Sequence, residues 1–150
     1  MNGPDPRAGA STYTGSADPP TVVSFRKLVR DWLDRNVDLD ADRVSDIVLA
    51  TDEALTNCAE HAYLDQQSAA VMTLTIAYDR AETTVQVCVT DYGRWIEPDP
   101  AAINAVRGRG IILMQALADD CTITNDASGT TVRLRFDQCP ALDRAASRAN

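Results

Sequence analysis

Residues 42–63 read DRVSDIVLATDEALTNCAEHAY. Val44, Ile47, Val48, Thr51, Leu55 and Cys58 recur with the 3.6-residue period and line one face of a helix running from near Asp42 to near Tyr63. Glu53, Asn57 and His61 follow one another at four-residue steps on a different face, and Ala50 and Ala54 share their sector. A solvated helix face normally carries long charged side chains. Alanines beside Glu, Asn and His instead leave room for another group to come close. Side chains four apart reach one point above the helix. A carboxylate and an amide oxygen are hard donors, which suits Mg²⁺ or a metal-bound phosphate. The same stripe also reads as an ordinary wet face, and spacing alone leaves both readings open.

Upstream, residues 1–20 are rich in Gly, Pro, Ala and Ser, and residues 1–17 are expected to be a flexible segment, with a short strand near Thr12–Thr14. Asp18-Pro19 is a helix start, a capping carboxylate followed by proline at the first helical position. Val22, Phe25, Val29 and Trp32 then form one buried stripe of a helix reaching about Asn36, and an acidic link, 37–41, follows.

Downstream, VMTLTIAY at 71–78 and TVQVCVT at 84–90 read as strands joined by a hairpin at Asp79–Glu82. A proline-broken stretch spans Asp91–Gly108, and a helix is expected from about Arg109 to Ala118. Strands at 121–125 and 130–136 flank an NDASG turn. The last fourteen residues are polar and Ala-rich and receive no core role, and 138–150 of them are expected to be a flexible tail. Helices and strands do not strictly alternate, so the expected fold class is α+β, a two-layer sandwich with helices on one face of a mixed β-sheet.

The chain has 150 residues, the size of one domain, and 45% hydrophobic residues supply a core. Net charge is −8, which argues against a nucleic-acid partner, since duplex binding rests on a basic patch that displaces counterions. No stretch approaches the roughly 20 apolar residues of a membrane span, and the N-terminus has no apolar run of a secretory signal. A cytoplasmic protein without membrane partners is the expectation. The cysteines show no metal-ligand spacing, and Cys58, Cys88 and Cys121 read as buried free thiols.

Three smaller features are each weak alone. Asp91-Tyr92-Gly93 places a carboxylate just past a strand end. Gly108-Arg109-Gly110 precedes a helix, where glycines admit a ligand and free N–H groups favour phosphate. Gly129-Thr130-Thr131 opens the last strand. Arg94, Arg107 and Arg109 add local positive charge. Neither a Walker A pattern nor GxGxxG is present.

Taken in order, EALTNCAEHAY at 53–63, VTDYGRW at 89–95, GRGIILMQALAD at 108–119 and GTTVRLRF at 129–136 resemble the anti-sigma-factor serine kinases of bacterial partner-switching systems, members of the GHKL ATPase superfamily. The resemblance spans about residues 20–136 and implies a Bergerat-type ATP-binding and kinase domain over 18–137. It implies Glu53 as the base that orients a partner serine hydroxyl, Asn57 as ligand to Mg²⁺ and phosphate, and His61 in a supporting role. It implies that Asp91 accepts from the adenine amino group, with Thr130 assisting, that Gly93 lets backbone pass under the base, and that Gly108, Arg109 and Gly110 cradle phosphate. ATP and Mg²⁺ are the implied cofactors. A sigma factor, a STAS-type anti-anti-sigma substrate and a second copy of the chain are the implied partners. The chain departs from the family where Arg94-Trp95 replaces a second glycine, which motivates the alternative of a nucleotide-gated binding module without phosphoryl transfer.

Overall fold

The computed structural model describes residues 10–64, 70–92, 107–126 and 128–142. Strand β1 (Ser11–Ser16) leads into helix α1 (Pro19–Asn36) and helix α2 (Ala41–Leu64). Strands β2 (Val71–Asp79) and β3 (Thr84–Asp91) follow, then helix α3 (Arg107–Leu117) and strands β4 (Asp120–Asp126) and β5 (Gly129–Phe136).

Local chemistry sets the element ends. The Asp18 carboxylate accepts from the Thr21 amide at 2.9 Å and caps α1, as the Asp-Pro pair predicts. Helix α2 is capped by Asp40, whose Oδ1 accepts from the Arg43 amide at 2.7 Å; this cap sits inside the link read only as acidic. Between β2 and β3 the Asp79 carboxylate accepts from the amides of Ala81 and Glu82, and Thr83 takes φ 48° to complete the turn.

The sheet order is β1-β2-β3-β5-β4. Every neighbouring pair is antiparallel, so the expected mixed sheet is corrected to an antiparallel one within the α+β two-layer class. The reason is topological. Helix α3 carries the chain from β3 to β4 as a crossover would, but β5 turns back and inserts between them, antiparallel to both.

Period-2 alternation sends Met72, Leu74, Ile76, Val85, Val87, Val89, Val132, Leu134 and Phe136 to the covered face. There they meet Val22, Phe25, Val29 and Trp32 of α1 and Ile47, Val48 and Leu55 of α2 in one core. Helix α1 lies over β1 and β2, α2 over β3 and β5, and α3 over β4. Of the thiols read as buried, Cys58 is buried, while Cys88 and Cys121 are half-buried; all three are thiols.

The short strand expected near Thr12–Thr14 is β1, paired along its length with β2 from Ser11↔Ile76 to Ser16↔Val71, so the flexible segment expected over 1–17 is corrected for residues 11–16. At the other end, residues after Phe136 do have a core role. Cys139 is fully buried, the Tyr78 hydroxyl donates to its carbonyl at 2.7 Å, and Ala141 bridges to Val37. Polar composition concealed this, because the segment is held mostly through its backbone: the amides of Cys139 and Leu142 donate to the carbonyls of Thr83 and Asn36.

Candidate functional site

Helix α2 is packed on both flanks, by α1 and by α3, with the sheet beneath. Ala50 and Ala54 are fully buried, so the small residues of the stripe belong to this packing. Glu53 and Asn57 are half-buried, and Asn57 lies one turn beyond Glu53.

The opposing element is the first turn of α3. Helix α3 begins at Arg107, two residues before its expected start. Gly108, Arg109 and Gly110 therefore form the opening helical turn and not a loop ahead of it. Gly110 faces α2 directly. A Cβ on it would lie 3.1 Å from Glu53 Oε2 and 3.6 Å from Asn57 Nδ2. A Cβ there would ask the Glu53 carboxylate to give way by a few tenths of an ångström and would sit in ordinary contact with Asn57. The first amides of a helix have no intrahelical acceptor, and the helix dipole makes this end positive. The structure thus brings together Glu53, Asn57 and Gly110, with Gly108 and Arg109 in the same turn.

Burial raises the Glu53 carboxyl above the usual glutamate range, and the charges of Asp52 and Glu60 push it the same way. Asp52 is itself engaged by α1: Arg26 Nε donates to its Oδ1 at 2.9 Å. A carboxylate with heightened proton affinity beside a glycine-backed helix end has the character of a base next to an anion site.

A second group lies at the far end of β3. Asp91 is 6% exposed and shares the covered face with Val85, Val87 and Val89. In register beside it is Thr130 of β5, and beside Thr130 is Asn125 of β4. The Thr130 hydroxyl donates to Asn125 Oδ1 at 2.8 Å. Gly129, at φ 144°, makes this row possible, because a Cβ there would collide with the Asp91 carbonyl oxygen. Helix α2 covers both β3 and β5, so the two groups share one face of the sheet.

His61 sits on α2 one turn past Asn57. Gly93, Arg94, Trp95 and most of the stretch up to Arg107 lie outside the described residues. Asn125 was absent from the candidates. Its signal was available: counting back from the NDASG turn puts residue 125 opposite residue 130.

The histidine kinase-like ATPase domain profile matches residues 15–136. The chain belongs to the histidine kinase-like ATPase domain family. Membership in this ATPase family makes ATP the ligand class, and the two groups just described lie on the elements that the motif resemblance marks for phosphate and for adenine. The ATPase domain is also similar to the crystal structure of the RsbU and RsbW domains of Rv1364c from Mycobacterium tuberculosis, with 25% sequence identity and a TM-score of 0.62. That match covers 85% of this chain and 32% of the other, so it takes in about a third of the chain in that structure. Among the described residues no helix of this ATPase domain is long and apolar enough to cross a membrane.

Proposed function

We propose that this protein is a cytoplasmic ATP-binding anti-sigma factor and serine protein kinase. It would sequester a sigma factor and phosphorylate a serine on a STAS-type anti-anti-sigma partner, acting as a homodimer. The observation that carries the reading is the seat of Gly110 against Glu53 and Asn57. The donor set fits the nucleotide: an amide and a carboxylate oxygen suit Mg²⁺, and the free amides at a helix N-terminus favour phosphate. The motif resemblance and the RsbW domain named in the similar structure support the partner-switching role.

Bound Mg-ATP would supply the transferable phosphoryl group and neutralise the charge that builds during transfer. The protein's own part is positioning. Asn57 would offer its side-chain oxygen to the metal. The amides of 108–110 would donate to phosphate oxygens, with Arg109 adding positive charge. Glu53 would take the proton of the partner's serine as that oxygen bonds to the γ-phosphorus and the bond from that phosphorus to the β–γ bridging oxygen breaks, releasing ADP. Its raised proton affinity suits it to this, and a positioned base contributes about 10²–10⁴-fold. Asp91 would accept from the adenine amino group beside Thr130, with Gly93 beneath the base and His61 in a supporting role at the nucleotide.

The test is incubation with Mg-ATP and a STAS-type partner protein, followed by detection of phosphoserine. We expect transfer by the wild type, and none by Glu53→Ala, which should still form the nucleotide-dependent complex. A complex that forms with no phosphoserine at all would reduce the protein to a nucleotide-gated binding module.

A further inference from the structure

Resting on the nucleotide-binding reading, we propose that Asn125 is a specificity-determining residue: it locks the Thr130 hydroxyl as an acceptor and so makes the base end of the site favour a 6-aminopurine over a 6-oxopurine. The observation is the row Asp91–Thr130–Asn125, one residue from each of three neighbouring strands, in register on one face, running from buried Asp91 through half-buried Thr130 to Asn125 at the exposed edge. A threonine hydroxyl has one hydrogen and can rotate it. Here that hydrogen is committed to Asn125 Oδ1 at 2.8 Å. What the Thr130 oxygen still offers a ligand is lone pairs, and the carboxylate of Asp91, its register neighbour, offers acceptors as well. A purine edge meeting this pair is rewarded for hydrogens. The exocyclic amine of adenine carries two. The carbonyl oxygen of hypoxanthine carries none and meets acceptors alone, leaving a polar atom unsatisfied. A Thr130 hydroxyl released from Asn125 could turn its hydrogen to that carbonyl and accommodate the wrong base. Asn125 touches neither base nor phosphate in this scheme; it is a positioning residue acting through Thr130.

The test compares dissociation constants for Mg-ADP and Mg-IDP, measured by calorimetry on the full chain. Wild type should prefer ADP. Asn125→Ala should narrow the preference about tenfold, mainly by tighter IDP binding, the size of one hydrogen bond made or broken. Asn125→Asp keeps an acceptor for the hydroxyl and should restore the preference. Thr130→Val removes the acceptor without freeing a hydroxyl; it should weaken ADP and leave IDP unchanged, and adding Asn125→Ala to it should change nothing further. This second variant and the cycle keep the test open if Asn125→Ala folds poorly. An unchanged ADP-to-IDP ratio in Asn125→Ala, or equal weakening of both nucleotides, overturns the proposal while leaving ATP binding standing. A wild type that binds no ADP removes the ATP-binding function, and this inference with it.

Discussion

Glu53 is held in a place that costs the fold something. Its carboxyl is raised by burial first, and by Asp52 and Glu60 next, so the folded state binds its proton more tightly than the unfolded chain does. The sign follows from linkage. A raised pKa gives stability that is complete at acid pH and is lost as pH climbs through the raised value. Glu53→Gln should therefore melt higher than wild type at neutral pH, and the advantage should fade on acidification; thermal unfolding at several pH values reads this. Gly110 is a similar trade. Alanine is the better helix former by about 1 kcal/mol, but its Cβ would press on Glu53 Oε2 at 3.1 Å. Gly110→Ala should leave the apo melting temperature unchanged or higher while cutting the rise on adding Mg-ADP. A variant whose nucleotide-induced rise equals that of wild type would separate Gly110 from the site.

At the scale of elements, the end of β5, the start of β4 and the start of α2 are joined by one small polar clamp. Arg43 donates to Asp119 Oδ2 at 2.8 Å and to the Asp137 carbonyl at 3.0 Å, and its guanidinium stands 5.6 Å from the centre of the Phe136 ring. The Asp137 amide donates to the same Asp119 carboxylate at 2.7 Å. That backbone bond is the main reason the Asp119 carboxyl lies below its usual range, with burial opposing and Arg43 assisting. A lowered carboxylate contributes stability above its unfolded range and loses it as pH falls through the lowered value. Asp119→Asn should lose about 1 kcal/mol or less at neutral pH, since the carboxylate is 41% exposed and screened. Urea unfolding should show the gap from wild type closing at acid pH. The elements differ in how plainly the chain announces them. The hairpins and α1 follow from local rules: alternation, an Asx turn, an Asp-Pro cap. The start of α3 does not, because Gly108 and Gly110 are poor helix formers, and the helix there is held by its packing on α2.

Across the whole molecule, ligand and stability are coupled. A ligand bound only by the folded state adds RT ln(1 + [L]/Kd), about 2.7 kcal/mol at a hundredfold excess over Kd. Mg-ADP should raise the melting temperature of wild type, and Asn57→Ala should lose most of that rise while keeping its apo stability. The second whole-molecule expectation concerns the strap after β5. Ending the chain at Asp137 removes buried Cys139, the acceptor of the Tyr78 hydroxyl and the Ala141 bridge to Val37. Losses of about 2–4 kcal/mol are usual for emptying one buried site, so the shortened chain should melt well below one ending at Leu142. Equal melting temperatures would show the strap to be passive.

Periodicity, caps and turn chemistry act between near neighbours, and those near neighbours are enough to read α1, α2 and both hairpins from the chain alone, whereas Glu53, Asn57, Asp91 and Thr130 became candidates through the resemblance of four motifs taken in order. Three matters needed the assembled fold. The sheet became antiparallel throughout because β5 returns between β3 and β4, a choice among whole arrangements that no local stretch encodes. The tail became core because Cys139 fills space that distant residues leave open. Gly110 met Glu53 and Asn57 because α2 and α3 pack together, more than fifty residues apart in the chain. Contacts of that separation depend on how layers stack, and stacking is a property of all the elements at once.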